Sequence, residues 1–164
     1  MNASFSFNYF GSVITAQSLG PNSIPDDTQV ITACCVPVIS DDKIIAVDII
    51  GRGVDIPGGH IDPGESALEA MAREVYEEAL VKVGTPILID VLEVKSNDDK
   101  LGLKERPYML IYAAKVTEML DFVRNNEVSE RLILDTLGFE KLYFADKVYG
   151  KEMVTKALQT IQSF

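Results

Sequence analysis

One helix is specified by the sequence between Ser66 and Ala79, directly after a turn at Pro63-Gly64. Ser66, followed three residues later by Glu69, forms a capping box at its amino terminus. Apolar residues then recur at helical spacing, at Leu68, Met71, Ala72, Val75 and Ala79. This spacing predicts that one face of the helix packs against a core, so the fold must supply a surface that covers it.

The same helix carries three glutamates, Glu74, Glu77 and Glu78, whose i, i+3, i+4 spacing places them on one face. The helical repeat of 3.6 residues turns this face roughly 120° away from the apolar stripe, so the carboxylates are predicted to face solvent or a cleft. Three crowded carboxylates repel one another unless a cation lies among them, and Mg²⁺ and Ca²⁺ prefer oxygen ligands. The sequence therefore predicts a divalent metal site.

Neighbouring residues favour the same chemistry. The Gly58-Gly59 pair lets the backbone approach closely, which makes the Gly58 carbonyl a candidate metal ligand. Arg73 can orient a carboxylate or contact a phosphate through its planar guanidinium. Divalent cations neutralise the charge of a diphosphate and lower the pKa of a bound water, so such a site suits diphosphate hydrolysis. A glutamate-rich helix face alone is more often solvated surface, and a structural Ca²⁺ site is disfavoured because the chain lacks an EF-hand loop.

The rest of the chain mainly predicts strands. Loose alternation over residues 4–15 indicates an amino-terminal strand, and residues 18–28 have the composition of a loop. Val30 to Ile39 and Lys43 to Ile50 form a predicted hairpin. Further strands are predicted at Ile87 to Val94, Tyr108 to Val116 and Arg131 to Leu134, with turns near Asn97-Asp98-Asp99 and Gly102. A carboxy-terminal helix presents a packing face made of Val154, Ala157, Leu158 and Ile161.

Strands that surround two helices in mixed order predict an α+β fold, with helices covering a mixed sheet. A length of 164 residues fits a single domain, 1–164. We expect residues 1–28 to form an amino-terminal strand and loop, and residues 30–160 to form the core.

Composition limits the partners and the compartment. The formal net charge of −10 argues against binding to nucleic acid or an anionic membrane. It permits a small anionic substrate when bound cations reverse the local potential. No Lys or Arg precedes Lys43, so a basic signal-peptide region is lacking, and no apolar run reaches the roughly 20 residues that span a bilayer. Cys34 and Cys35 are expected to be reduced core residues on opposite faces of a strand. We expect a soluble cytoplasmic protein.

Residues 59–81 resemble the Nudix box, a pattern of glycine, glutamate, arginine and aliphatic residues at fixed spacing. The residues in register are Gly59, Glu65, Arg73, Glu74, Val75, Glu77, Glu78 and Val81. All six positions that the pattern fixes as Gly, Glu or Arg before Leu80 match, and Leu80 stands where the family has glycine. A softer similarity extends over roughly residues 30–160.

The resemblance implies an α/β/α sandwich with a mixed central sheet, and Mg²⁺- or Mn²⁺-dependent hydrolysis of a nucleoside diphosphate linked to another group. It implies metal binding by Glu74, Glu77, Glu78 and the Gly58 carbonyl, and an ion pair between Glu65 and Arg73 that braces the loop against the helix. For the general base, the first hypothesis is Glu74 and the second is Glu127. Arg52 and His60 are candidate substrate contacts.

Some alternatives stay open from sequence alone. Leu80 is a poor residue for a left-handed helix end, and Gly84 is an alternative cap if the helix runs one further turn. Residues 96–99 carry neither the proline nor the tyrosine typical of two substrate subgroups of the family, which favours nucleoside triphosphates or another nucleotide-type substrate. A catalytically silent Nudix-fold module that binds a nucleotide or protein is the alternative to an enzyme. The apolar amino-terminal segment is a candidate homodimer surface.

Overall fold

The computed structural model describes residues 3–164, which contain ten strands, three α-helices and a short 3₁₀ turn at Asp27–Gln29. The strands are β1 Ser4–Tyr9, β2 Ser12–Ser18, β3 Val30–Val38, β4 Ile44–Ile49, β5 Gly53–Asp55, β6 Gly58–His60, β7 Val81–Val83, β8 Ile87–Ser96, β9 Tyr108–Met119 and β10 Val128–Leu134. The helices are α1 Ala67–Ala79, α2 Thr136–Leu142 and α3 Lys147–Gln162. Within residues 3–164, none of the helices has the length and hydrophobicity needed to cross a bilayer.

A mixed sheet forms the centre of the molecule, with the strand order β1-β2-β8-β9-β3-β4-β10. Strands β3 and β9 pair in parallel at its middle, and the other pairs along this path are antiparallel. The short strands β5, β6 and β7 pair with β4, β3 and β9, respectively. The sheet is therefore mixed, as the sequence predicted.

Helices cover both faces of this sheet. On one face α1 packs through Met71, Val75 and Ala79 into an apolar cluster that also contains Cys35. On the other face α2 and α3 contribute residues such as Phe139, and Cys34 packs against that second cluster. Cys34 and Cys35 are unbridged and lie on opposite faces of β3, as predicted. The α/β/α layering and the α+β class are confirmed.

The amino-terminal segment forms a hairpin, whereas the sequence predicted one strand. Strands β1 and β2 pair in antiparallel register from Ser4 with Gln17 to Tyr9 with Ser12. Phe10 and Gly11 form the turn, with φ angles of 47° and 85°. The turn was missed because the alternation of apolar residues continues across it, while Gly11 was the only local signal.

A buried carboxylate ties this hairpin to the rest of the fold. Asp90 on β8 is fully buried and accepts hydrogen bonds from the Ser18 hydroxyl at 2.8 and 2.9 Å and from the Gly20 N–H at 2.9 Å. It also accepts one from the Tyr149 hydroxyl on α3 at 2.8 Å. Because a buried carboxylate without donors would be strongly destabilising, this network fixes the end of β2 against β8 and α3.

The sequence did not predict four short elements, β5, β6, β7 and α2. The three strands have three residues each, too few to show a periodicity. Helix α2 has seven residues and only Phe139 is buried, although the Asp135 side chain caps it by accepting from the Gly138 N–H at 2.7 Å. The Asp135 cap was the available signal.

Helix α1 begins as predicted, with both hydrogen bonds of the Ser66–Glu69 capping box present. Its buried face, however, differs from the predicted stripe. Leu68 is 48% exposed and Ala72 is also exposed, whereas Ala67, Ala70 and Glu78 are buried. The helix is rotated so that its glutamate side turns toward β6, where Gly58 and Gly59 leave room for it. Glu74 and Glu78 line a cleft and Glu77 is exposed, in agreement with the prediction that the carboxylates face solvent or a cleft, although Glu78 is more deeply buried than expected.

The helix ends at Ala79, so the alternative cap at Gly84 is not used. Leu80 itself takes the left-handed conformation, with φ 53° and ψ 45°, and its N–H bonds to the Tyr76 carbonyl at 3.0 Å. Arg131 donates from Nη1 to the Ala79 carbonyl at 2.9 Å and to the Leu120 carbonyl at 2.8 Å. A guanidinium at a helix carboxyl terminus satisfies free carbonyls and is favoured by the helix dipole, so Arg131 supports the strained end.

We expect Leu80→Gly to be more stable than Leu80→Ala by about 1 kcal/mol, because both variants lose the side chain and only glycine relieves the left-handed strain. The free energy of unfolding from urea titration measures this difference. At the exposed helical control position, Ala72→Gly should instead destabilise by about 1 kcal/mol. A Leu80→Gly variant less stable than Leu80→Ala would contradict the prediction.

Candidate active site

Two glycines let strand β6 pack closely between β3 and the glutamate face of α1. Gly58 and Gly59 pair with Cys34 and Ala33 of β3. A Cβ at Gly58 would lie 2.5 Å from Cys34 Sγ, and a Cβ at Gly59 would lie 2.4 Å from Oε1 of Glu74. Real Cβ atoms do not make such contacts, so both positions require glycine for this packing.

Arg73 joins the loop before α1 to the glutamates on the helix. Its Nε and Nη2 contact the two carboxylate oxygens of Glu65 at 2.6 and 3.0 Å, and Nη2 also donates to the His60 carbonyl at 3.1 Å. Nη1 contacts Glu74 at 2.9 Å and Glu77 at 3.3 Å. The structure therefore places Glu65 and Arg73 in the bracing pair expected from the sequence, and this hydrogen bonding lowers the pKa of Glu65 to about 2.

Glu78 is the most deeply placed of the three glutamates, with 6% of its surface exposed. Its Oε2 accepts a hydrogen bond from the Gly58 N–H at 3.3 Å. Burial raises the pKa of Glu78 to about 8, and the charges of Glu74 and Asp55 add to the shift, while the Gly58 N–H and Arg52 oppose it. A carboxylate in this position is poorly neutralised by the protein itself.

Glu74 is partly buried beside it. Burial is the main cause of its raised pKa, the hydrogen bond from Arg73 opposes the shift, and the charges of Glu77 and Glu127 add to it. Glu77 differs from both, because its side chain is 56% exposed and points toward Arg73. The three glutamates thus form a gradient of burial along one helix face.

The donor chemistry of this face fits a hard divalent cation. Within residues 3–164, no three His, Cys, Asp or Glu side chains are already grouped so that they could hold a metal ion. The charge of Glu74 nevertheless raises the pKa of Glu78, and the bare backbone of Gly59 lies directly against the Glu74 carboxylate. Carboxylate and backbone carbonyl oxygens are the ligands that Mg²⁺ and Mn²⁺ prefer, and a cation would relieve the repulsion.

A cavity of about 590 Å³ opens over these carboxylates. It brings together most of the residues predicted for the site: Arg52, Gly58, Gly59, His60, Glu74, Glu78 and Glu127. Arg73 and Glu65 lie behind this surface as the brace, and among the described residues Glu77 is not part of the lining. His60 and Glu127 are exposed at the cavity surface.

The structure adds lining residues that the sequence did not single out for this role. Asp55 pairs with Arg52 through Oδ2 and Nη2 at 3.3 Å, and burial raises its pKa to about 6. Part of the cavity lining is aromatic and includes Phe7, Tyr9 and Phe144. The alternation of aromatics in residues 4–10 was visible in the sequence, but nothing in it indicated that the segment lies beside the glutamates.

A sequence model of the NUDIX domain matches residues 28–149 of this chain. The chain belongs to the Nudix hydrolase family. The match covers most of the chain and contains every residue predicted for the site, which agrees with the box read from the sequence. Nudix hydrolases generally use divalent metals, in keeping with the carboxylate face of α1. The β1–β2 hairpin lies before the matched region.

Known proteins similar to this Nudix chain include diphosphoinositol polyphosphate phosphohydrolase 2 from Rattus norvegicus, which is 42% identical over 66 residues. That stretch is 40% of this chain and 32% of the relative, so it spans about a third of the relative's length.

Solved structures share the fold at lower identity. The Bacillus subtilis pyrophosphohydrolase BsRppH aligns with a TM-score of 0.68 at 16% identity over 98% of this chain and 96% of that one. A UDP-X diphosphatase aligns with a TM-score of 0.60 at 19% identity, over 87% and 67% of the two chains. A C. elegans Ap4A hydrolase aligns with a TM-score of 0.59 at 17% identity, over 81% and 99%.

We expect the metal-free protein to lose stability as the pH rises from about 5 to about 8, because of Glu78. Its pKa in the folded state, about 8, lies above its ordinary value of 4.5. Over this interval the folded state holds a proton that the unfolded state has released, so a higher pH favours unfolding. Melting temperatures in a chelator should show this slope in the unaltered protein.

The variant Glu78→Gln should flatten this slope and should be more stable than the unaltered protein at about pH 9, since glutamine carries no charge to desolvate. Glu152→Gln, at an exposed position on α3, is the matched control and should retain the original slope. Equal slopes for Glu78→Gln and Glu152→Gln would show that Glu78 does not titrate as described.

Proposed function

We propose that this protein is a metal-dependent pyrophosphohydrolase, which cleaves a diphosphate linkage in a nucleotide or nucleoside diphosphate derivative by attack of water on phosphorus. The observation that carries the proposal is a single cavity lined by the carboxylates Glu74, Glu78 and Glu127, of which Glu74 and Glu78 are in the register of the Nudix box. The names of similar proteins, a pyrophosphohydrolase, a UDP-X diphosphatase and an Ap4A hydrolase, support this chemistry.

The metal ligands in this proposal are Glu74, Glu77 and Glu78 together with the Gly58 carbonyl, and the ion is Mg²⁺ or Mn²⁺. When bound, such a cation neutralises the diphosphate and lowers the pKa of a coordinated water. The protein contributes the geometry: α1 is a rigid support for the carboxylates, and Arg73 fixes Glu74 through a 2.9 Å contact. Glu77, exposed on the outer side, is the ligand that needs the largest rotation away from Arg73.

Two residues are proposed to take the proton of the attacking water, Glu74 first and Glu127 second. Glu74 is next to the proposed metal site, but Arg73 donates a hydrogen bond to one of its carboxylate oxygens. Glu127 lies at the start of β10, exposed on the cavity surface and close enough to Glu74 to raise the pKa of Glu74. A base at either position works only if its carboxylate is ionised when water attacks.

The proposed partner is a small nucleotide-type substrate, with no role for nucleic acid or membrane, and the proposed compartment is the cytoplasm. The net charge of −10 supports both exclusions. Homodimerisation through the amino-terminal segment stays a prediction.

A panel of diphosphate compounds with Mg²⁺ or Mn²⁺ tests the proposed function, with the products identified by chromatography. The panel contains nucleoside triphosphates, ADP-ribose, a dinucleoside polyphosphate and a diphosphoinositol polyphosphate. We expect turnover of at least one nucleotide compound and a loss of about 100-fold or more in kcat for Glu78→Gln, because a buried ligand oxygen is removed. The control Glu152→Gln should retain full activity. The catalytically silent alternative is favoured if no compound is turned over.

Separate measurements on Glu74→Gln and Glu127→Gln distinguish the two proposed bases. Loss of the base should lower kcat by about 10²- to 10⁴-fold while the affinity for the metal, measured by calorimetry, is retained. Loss of a ligand should lower both quantities. Unaltered turnover in both variants would eliminate both candidates.

A further inference from the structure

The β1–β2 hairpin ends in a residue that neither local conformation nor core packing accounts for. Phe10 has a φ of 47° in the turn, a conformation that is disfavoured for residues with a Cβ and is commonly taken by Asn or Gly. Its side chain is 68% exposed, and its ring contacts Tyr9 edge-on at a centroid distance of 4.7 Å. A strained, exposed aromatic residue points to a role outside the fold.

The turn lies at the mouth of the cavity that contains the candidate active site. Phe10 lines this cavity together with Phe7 and Tyr9. Phe144, which follows α2, lies opposite them and meets the Phe7 ring edge-on at 5.5 Å. These four residues form an aromatic wall, and three of them belong to the hairpin that precedes the region shared with the family.

Arg52 lies beside the aromatic wall with an unsatisfied donor. Its guanidinium carbon is 5.5 Å from the centroid of the Tyr9 ring and 5.4 Å from that of Phe144. The ion pair with Asp55 engages Nη2, but Nε is buried and has no hydrogen-bond partner among the described residues. Thr32 Oγ1, also in the cavity lining, is a second buried polar atom without a partner there. Buried polar groups normally find a partner, so we expect a water molecule in the free protein and a ligand oxygen when the cavity is occupied.

The charge of the cavity limits what can bind in it. Among the described residues, Arg52 and His60 are the only basic side chains in the lining, whereas five carboxylates line it: Asp55, Asp62, Glu74, Glu78 and Glu127. A ligand with phosphates on many sides would meet these carboxylates with few cations to balance it. A ligand that carries a few phosphates and a planar, weakly polar group matches both the charged and the aromatic parts of the lining.

We propose that the β1–β2 hairpin is the specificity element of this enzyme: Phe10 stacks on the nucleobase, and Arg52 Nε donates to a phosphate oxygen on the base side of the scissile linkage. This inference rests on the proposed function, because it takes the acidic part of the cavity as the reaction site. It selects nucleoside derivatives over diphosphates that have no aromatic group. Stacking on an aromatic side chain tolerates different bases, so discrimination among bases is expected to be weak.

Binding of AMP, GMP and UMP tests this inference separately from hydrolysis, because these compounds contain no diphosphate linkage. Calorimetry with Mg²⁺ present compares the unaltered protein with Phe10→Asn, and inorganic phosphate serves as the base-free probe. Asparagine suits the left-handed turn, so the hairpin should be retained while the stacking ring is lost. We expect roughly tenfold weaker binding of the three nucleotides and unchanged binding of phosphate.

Three further variants complete the test. Phe10→Tyr keeps a ring and should bind like the unaltered protein, and Ile24→Asn, at an exposed loop position 72% accessible and outside the cavity lining, should do so too. Arg52→Lys keeps the charge but lacks Nε, and should weaken nucleotide binding with a melting temperature close to that of the unaltered protein.

The inference is overturned if the unaltered protein binds none of the nucleotides or if Phe10→Asn binds them as tightly as the unaltered protein does. It is also overturned if Phe10→Asn weakens the binding of phosphate by the same factor as the binding of nucleotides. Nucleotide binding that depends on Phe10 without turnover of any diphosphate compound would support the specificity element and reject the proposed hydrolysis. Where turnover is found, Phe10→Asn should raise KM for nucleotide substrates by a similar factor, with kcat changed less.

Discussion

The close approach of β6 to α1 is the constraint on which the site depends. Without a side chain at Gly59, the strand backbone lies directly against the carboxylate of Glu74, and the Gly58 N–H reaches Glu78. A larger residue at Gly59 would push the helix away or rotate it about its axis. Gly59 therefore sets how closely β6 approaches this face of α1, while Gly58 allows β6 to pack against Cys34 of β3.

That packing carries an electrostatic penalty that the protein offsets only in part. Arg73 neutralises the outer portion of the cluster through Glu65, Glu74 and Glu77, whereas Glu78 has one backbone N–H and a distant Arg52. The carboxylate left least neutralised is the most buried one. Such an arrangement is unfavourable for stability alone and favourable for binding a cation, because a ligand that relieves repulsion gains the energy that the free protein lacks.

The sequence predicted the parts of this structure that depend on local patterns. The capping box located the start of α1, and the spacing of Glu74, Glu77 and Glu78 located the site, because both depend only on helical geometry. The rotation of α1 could not be predicted, since it depends on the bare backbone of a strand brought in from elsewhere in the chain. Nor could the position of the hairpin be read from residues 4–18, because their pairing with β8 joins segments more than 70 residues apart.

Phe10 and Leu80 are the two non-glycine residues with positive φ among residues 3–164, and the fold treats them differently. At Leu80 the neighbouring structure supports the strained conformation. The helix ends there, β7 begins at the next residue, and Arg131 donates hydrogen bonds to the Ala79 and Leu80 carbonyls. At Phe10 nothing comparable is present, because the ring is mostly exposed and its main ring contact is the adjacent Tyr9. Backbone strain that neighbouring contacts support can be explained by packing alone. Backbone strain at an exposed aromatic residue beside the candidate active site has no such explanation, so we relate it to function. Of these two residues, only Phe10 therefore supports an inference about substrate binding.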